Sequence, residues 1–126
     1  MPNSAKLFIS LGALAALIGV ALGAFGAHAL KARLAEDMLA VWRTAVEYQM
    51  YHALGMLVVG ALAFHLPRSV PLKYAGALMA IGIVLFSGSL YVLSLTGMRG
   101  LGAVTPIGGV AFILGWASLA WAVLRV

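Results

Sequence analysis

The sequence predicts an all-α membrane protein: a bundle of four transmembrane helices with an amphipathic interfacial helix between the first two. Hydrophobic residues make up 64% of the 126 residues and charged residues only 9%, whereas soluble domains average about 45–50% and about 25%. The apolar stretches are also long and continuous, without the alternation that strands of a membrane barrel show. We therefore expect one membrane domain that covers residues 1–126.

Four apolar stretches are long enough to cross a bilayer, which takes about 20 helical residues. We expect the spans at about residues 7–27, 45–65, 73–95 and 103–124. The loop between the second and third spans contains Pro67 and Pro71, and the next loop contains Gly97, Gly100 and Gly102. Such residues end helices and permit tight turns. Because the number of spans is even, both termini are expected on the same side of the membrane.

The segment between the first two spans has the pattern of an amphipathic helix over about residues 31–44. Its apolar residues recur at spacings of three and four: Leu30, Leu34, Met38, Val41, Trp42 and Ala45. Charged residues fall mostly between them, and neither proline nor glycine interrupts the segment. A helix with one apolar and one charged face can lie along the membrane interface. A cap packed over the end of the bundle fits the same pattern, and the sequence does not separate the two.

The formal net charge of +5 comes from basic residues at the ends of the predicted spans, where they meet lipid headgroups. Lys6, Arg68, Lys73 and Arg125 lie on the side of the termini, and Lys31, Arg33, Arg43 and Arg99 lie on the other side. This distribution argues against nucleic-acid binding. Because four basic residues lie on each side, the distribution does not determine the orientation in the membrane, and only the N-terminal amine favours termini in the cytoplasm. The chain has no cysteine, which excludes disulfides, thiolate metal sites and a cysteine nucleophile.

Fifteen glycines are many for this length, and most fall inside predicted helices. Helices in a membrane associate without a hydrophobic driving force, so they depend on small residues that let backbones approach closely. We expect helix packing at six of these positions: Gly19, Gly23, Gly26, Gly55, Gly108 and Gly109. A groove for a ligand or for a helix of a partner would use the same kind of residue, and that interpretation stays open.

Polar residues enter all four predicted spans at one membrane face, opposite the termini. The set comprises His28, Glu47, Tyr48, Gln49, His52, Ser87, Ser89, Tyr91 and Thr105. Unsatisfied polar groups are costly in hydrocarbon, so side chains at similar depth should bind one another or water. We expect most of the set to form one hydrogen-bonded cluster. In it, His28 would face the Tyr48–His52 side of the second helix, and Ser87 or Tyr91 would close it.

This cluster has three interpretations from the residues alone. It is a structural clasp that joins helix ends, a pocket that handles protons or a ligand, or a metal site built from His28, Glu47 and His52. The metal site is the weakest, because no HExxH spacing exists and the three residues are scattered over two helices. We expect no metal and no cofactor. Trp42 and Trp116 are interpreted as interfacial aromatics or as filling of the bundle.

Several stretches at these positions carry a family resemblance: Gly23–His28, Thr44–Leu54, Phe86–Tyr91 and Thr105–Gly109, followed by Gly115-Trp116. In this order, over nearly the whole chain, they resemble small bacterial membrane proteins of the YgdD/YwdK type. These form the domain of unknown function family 423, to which the animal transmembrane protein 256 is similar. The resemblance implies a multi-pass protein of the bacterial inner membrane, and it implies no activity. Its motifs coincide with the polar face.

The residues offer little for catalysis. All three acids lie within residues 36–47, and the sequence contains no Ser/His/Asp set and no phosphate-binding loop. We expect an accessory, scaffold or lipid-interacting protein that is not an enzyme. Its expected partners are membrane lipids, and a homo-oligomer or a larger membrane complex stays open. The alternative is a small transporter or channel-like protein that uses Glu47 and His52. Transporters of that kind use a carboxylate within the membrane, whereas Glu47 lies near the end of its span.

Overall fold

The structure is a computed structural model that describes residues 1–126, and it is all-helical with no strand. Four long helices follow one another. α1 is α-helical over Asn3–Phe25 and continues through a π-helical turn over Gly26–Leu30, and α2 spans Glu36–Leu62. α3 spans Val70–Thr96 with a second π-helical turn over Ile83–Ser87, and α4 spans Thr105–Leu124 after a 3₁₀ turn over Arg99–Ala103. The prediction of an all-α chain is confirmed.

Local sequence explains several of the helix ends. α2 begins with Glu36 and Asp37 in its first turn, where carboxylates are favoured by the positive end of the helix dipole. At the start of α3, the Ser69 hydroxyl accepts a hydrogen bond from the backbone N–H of Leu72 at 3.3 Å. α3 ends at Gly97, whose φ of +71° is the only positive φ in the chain. Glycine adopts this left-handed conformation after helices without the steric cost of a Cβ.

The amphipathic helix predicted over residues 31–44 does not form a separate element. Residues 31–34 form a turn, and α2 then runs without a break from Glu36 to Leu62. The expected boundary near residue 45 is wrong because residues 36–54 contain neither proline nor glycine, and so nothing interrupts the backbone hydrogen-bond ladder. The apolar residues of this segment belong to the first turns of α2.

Three helical segments are long and apolar enough to cross a membrane: Asn3–Leu30, Val70–Thr96 and Arg99–Leu124. The outward faces of the bundle are apolar as well. Leu17 is 65% exposed, Val84 70% and Ile113 68%. A large exposed apolar surface is unusual for a soluble monomer, and it is the surface expected where the surroundings are lipid.

The four helices pack as two hairpins side by side. α1 lies along α2, α3 lies along α4, and the contact between the hairpins is made mainly by α2 and α3. The main hydrophobic core lies in the half of the bundle that carries the termini. It includes Phe8 from α1, Met56 and Val59 from α2, and Leu72 and Met79 from α3. This core leaves the other half of the bundle to the polar side chains.

Candidate functional site

A layer of polar side chains crosses the bundle between the main core and the end opposite the termini. This polar layer consists of Gln49, His52, Ser87, Ser89, Tyr91, Thr105 and Trp116. Four of them are buried: Gln49 and His52 from α2, and Ser87 and Ser89 from α3. Every buried side-chain nitrogen and oxygen in the structure has a hydrogen-bond partner. These bonds form separate sets and not the single hydrogen-bonded cluster that the sequence predicted: Gln49 with Tyr91, His52 with Trp116, and Ser89 with Thr105, while Ser87 binds a backbone carbonyl.

Gln49 connects three helices through its side-chain amide. Its Nε2 donates to the backbone carbonyl of Ala15 in α1 at 2.9 Å, and its Oε1 accepts from the hydroxyl of Tyr91 in α3 at 2.6 Å. Gly19 of α1 leaves space for Gln49 and Met50, because a Cβ at this position would lie 2.6 Å from Sδ of Met50 and 3.5 Å from Nε2 of Gln49. The amide is thus held between helices and does not face an open cavity.

His52 uses both of its ring nitrogens inside the bundle. Nδ1 lies 2.6 Å from the carbonyl oxygen of Tyr48, and Nε2 lies 2.9 Å from Nε1 of Trp116. Because a carbonyl only accepts and an indole N–H only donates, the imidazole is neutral, with its hydrogen on Nδ1. Its ring also stacks on Phe112, with ring centroids 3.5 Å apart and planes 8° apart. The contacts fix both the tautomer and the orientation of the ring.

Hydroxyl groups tie α3 to both of its neighbours. Ser87, which is fully buried at the end of the π-helical turn, donates to the carbonyl of Ala45 in α2 at 2.7 Å. The hydroxyl oxygen of Ser89 lies 2.9 Å from the carbonyl oxygen of Phe86 and 2.7 Å from the hydroxyl oxygen of Thr105 in α4. Since each hydroxyl has only one hydrogen, one of the two donates to the other, and the second donates to a nearby carbonyl, that of Phe86 for Ser89 or of Leu101 for Thr105. These bonds hold the middle of α3 in register with α2 and α4.

Three of the residues expected in the cluster lie outside these side-chain hydrogen bonds. His28 is exposed on the π-helical turn that ends α1, and Glu47 is exposed on α2. Tyr48 is 38% exposed and contributes its backbone carbonyl to His52 and its ring to a contact with Phe86, at a centroid distance of 4.7 Å. No group of three His, Cys, Asp or Glu side chains is close enough to hold a metal ion.

The packing of α1 explains why His52 bonds to α4 and not to His28. A Cβ on Gly12 would lie 2.8 Å from the carbonyl oxygen of Ala53, and one on Gly23 would lie 3.3 Å from Cγ1 of Val46. α1 therefore packs on the face of α2 that carries these residues and Gln49. His52 points to a different face, which is covered by α4.

Glycines also determine how closely α3 and α4 approach their neighbours. A Cβ on Gly108 would overlap the backbone of Phe86, and one on Gly55 would lie 2.8 Å from Sδ of Met79. Gly109 differs from the other five glycines of the expected set, because its Cβ would meet nothing closer than 3.9 Å. The close contact of α4 with α3 at this point thus depends on Gly108 and not on Gly109.

Two of the three tryptophans, Trp42 and Trp116, have a polar role that the sequence interpretation did not assign. Besides the bond from Trp116 to His52, Nε1 of Trp42 donates to the carbonyl of Leu22 at 2.9 Å. The Trp42 indole needs the space above Gly26, where a Cβ would lie 2.5 Å from its ring. A buried indole N–H usually finds an acceptor, and that requirement is a signal by which the bond of the buried Trp42 could have been anticipated. Trp116 is 43% exposed and gives no such signal.

These features define a polytopic helical membrane protein. The outer faces are apolar, three helices are able to cross a bilayer, and the buried polar atoms all have partners inside the bundle. Residues 22–109 match the family model described as "Protein of unknown function (DUF423)", and the chain belongs to this family. The resemblance proposed from the sequence motifs is therefore confirmed.

Relatives with the same character cover nearly the whole chain. The UPF0382 membrane protein YwdK of Bacillus subtilis is 53% identical over 95% of this chain and 98% of its own length. The UPF0382 membrane protein SH2409 of Staphylococcus haemolyticus is 51% identical over 90% of this chain and 92% of its own length. No solved structure matches the chain. The protein is a membrane protein, and its bacterial relatives are consistent with a location in the inner membrane.

Proposed function

We propose that the protein is a four-span membrane protein without catalytic chemistry that acts as an accessory, scaffold or lipid-interacting component. The observation that carries the proposal is the polar layer, in which every buried polar atom has a hydrogen-bond partner inside the bundle. Sites that bind substrates combine a cavity with polar groups that converge on it. Here the buried polar groups bind one another and backbone carbonyls, with none left over. Such a layer stabilises a bundle and gives it a defined register.

The fourth span in this proposal is α2. Its 27 residues extend over about 40 Å at about 1.5 Å per residue, which is enough to cross a bilayer. Its polar side chains Gln49 and His52 are bonded to α1, α3 and α4, and polar groups are tolerated within a membrane when neighbouring helices satisfy them. The first turns of α2, with Trp42 buried and Arg43 exposed, would lie in the membrane interface.

The arrangement can be tested by cysteine labelling, since the chain has no cysteine of its own. Ser69→Cys in the α2–α3 loop and Gly100→Cys in the α3–α4 loop should react with a membrane-impermeant maleimide from opposite sides. Asn3→Cys should react from the same side as Ser69→Cys. With termini in the cytoplasm, that side is accessible only in inverted vesicles. Labelling of both loops from one side would contradict the four-span arrangement.

The transporter alternative predicts a different dependence on Glu47. An exposed carboxylate and a His52 ring with no free nitrogen are poor candidates for a coupling site, because such a site has to bind and release its ion. We therefore expect proteoliposomes with wild-type protein and with Glu47→Gln to show the same cation and proton leak under an imposed pH gradient. An uptake present in the wild type and lost in Glu47→Gln would overturn the accessory role in favour of transport.

A further inference from the structure

A cavity of about 410 Å³ lies at the end of the bundle that carries the termini, far from the polar layer. It opens between the α2–α3 loop and the last turn of α4. Its lining includes Arg68 and Ser69 from the loop, Val70 from the start of α3, and Ala122 and Arg125 from α4. None of the residues that form the polar layer lines this cavity.

The charged side chains that line this cavity are all basic. Arg68 and Arg125 are exposed, and His65 lies beside them. All three acidic residues of the chain precede residue 48. Glu47, the acid nearest to this end, is separated from Leu62, the last residue of α2, by about 22 Å of helix. No carboxylate side chain therefore lies near the two guanidinium groups. Val126, the last residue of the sequence, also lines the cavity, and its terminal carboxylate balances at most one of them, so the cavity keeps a net positive charge.

Two guanidinium groups at a concave site suit a phosphate group. Arginine binds phosphate through paired N–H donors, and basic pockets between transmembrane helices bind acidic lipid headgroups. The cavity also has apolar walls, which include Leu66 and Val70. A free phosphate ion would gain nothing from these walls, whereas the glycerol and first acyl carbons of a lipid would pack on them.

We propose that this cavity binds the phosphate of an anionic phospholipid, with Arg68 and Arg125 as its ligands. The proposal rests on the four-span arrangement, which places the α2–α3 loop and the end of α4 together at headgroup depth. The lipid would connect the two hairpins at the membrane surface, where the structure has no side-chain hydrogen bond between the α2–α3 loop and α4. It would thereby act at the end of the bundle that the polar layer does not reach.

The proposal can be tested by native mass spectrometry of the full-length protein in a neutral detergent. The probes are phosphatidylglycerol and phosphatidylcholine with the same acyl chains. We expect the wild type to retain phosphatidylglycerol in preference to phosphatidylcholine. A basic residue near an anionic membrane surface contributes about 1 kcal/mol, roughly five-fold in affinity. The double variant Arg68→Gln/Arg125→Gln should therefore lose about 25-fold of that preference.

A matched control removes the same charge from the opposite end of the molecule. The double variant Lys31→Gln/Arg43→Gln should keep the phosphatidylglycerol preference. Equal loss in both double variants would overturn the proposal, because it would show a response to net charge alone. An absence of any preference in the wild type would overturn it as well.

A competition arm separates the two sources of phosphate. Millimolar inorganic phosphate should leave phosphatidylglycerol bound, and displacement at that concentration would overturn the assignment to a lipid. The cysteine labelling described above gives an independent readout of the arrangement. If labelling supports four spans and phosphatidylglycerol does not bind, the lipid site fails and the proposed architecture stands.

Discussion

The hydrogen bond between the Gln49 amide and the Tyr91 hydroxyl can be measured by a double-mutant cycle. Tyr91→Phe removes the hydroxyl and leaves Oε1 of Gln49 without its donor at 2.6 Å. Gln49→Leu removes the acceptor of that hydroxyl and also the bond to the carbonyl of Ala15. The double variant removes both partners, so that neither is left buried and unpaired.

The expected loss in the free energy of unfolding follows from the number of polar groups that each variant leaves unpaired. A buried donor or acceptor without a partner costs about 1–3 kcal/mol, so Tyr91→Phe should lower the free energy of unfolding by an amount in that range. Gln49→Leu should cost more than Tyr91→Phe, because it breaks bonds to two helices. Side-chain hydrogen bonds measured by such cycles in a membrane protein average about 0.6 and reach about 1.7 kcal/mol. The coupling energy between the two variants should lie within these limits.

A suitable assay is reversible unfolding in mixed micelles with a rising mole fraction of SDS, followed by tryptophan fluorescence. Ser94→Ala is the matched control, since the hydroxyl of this buried serine donates only within its own helix, to the carbonyls of Leu90 and Tyr91. It should cost less than either single variant. Additive effects of the two variants, to within about 0.3 kcal/mol, would refute the claim that this bond joins α2 to α3.

Two further pairs of variants test neighbouring parts of the bundle in the same assay. Gly108→Ala should lower the free energy of unfolding by about 1–3 kcal/mol because its Cβ would overlap the α3 backbone, whereas Gly109→Ala should be nearly neutral; equal effects would show that close contact at this position is not required. Trp116→Phe should destabilise the protein more than Trp121→Phe, because only Trp116 donates to His52, whereas the two indoles differ little in exposure, at 43% and 59%. The reverse order would contradict the assigned role of that bond.

The helical character of the chain could be predicted from its sequence because composition and continuous apolar runs leave few alternatives. The boundary of α2 could not, because the pattern of residues 31–44 describes one face of a helix equally well whether the helix ends at residue 44 or continues. The structure shows that it continues, since nothing between Glu36 and Gly55 interrupts the backbone hydrogen bonds.

The depth of the polar residues could also be predicted, whereas their partners could not. Helix direction places Gln49, Ser87 and Thr105 at related depths, and depth follows from counting residues. Which residues meet depends on how each helix is rotated about its axis, and that is determined by packing. α1 meets the face of α2 that carries Gln49, so the expected contact with His28 is replaced by the bond between His52 and Trp116 on α4.

The π-helical turn at Ile83–Ser87 determines where α3 can lose a residue without losing its register against the other helices. A π-helical turn holds one residue more than an α-helical turn, and one residue corresponds to about 100° of rotation. Met79 packs in the main core before this turn, and Tyr91 reaches Gln49 after it. Deleting a single residue within this turn would leave an ordinary α-helical turn, so both halves of α3 would keep their orientation toward their partners. A one-residue deletion elsewhere in α3 would instead turn one half of the helix by about 100° away from its partners, and the hydropathy profile would reveal neither change.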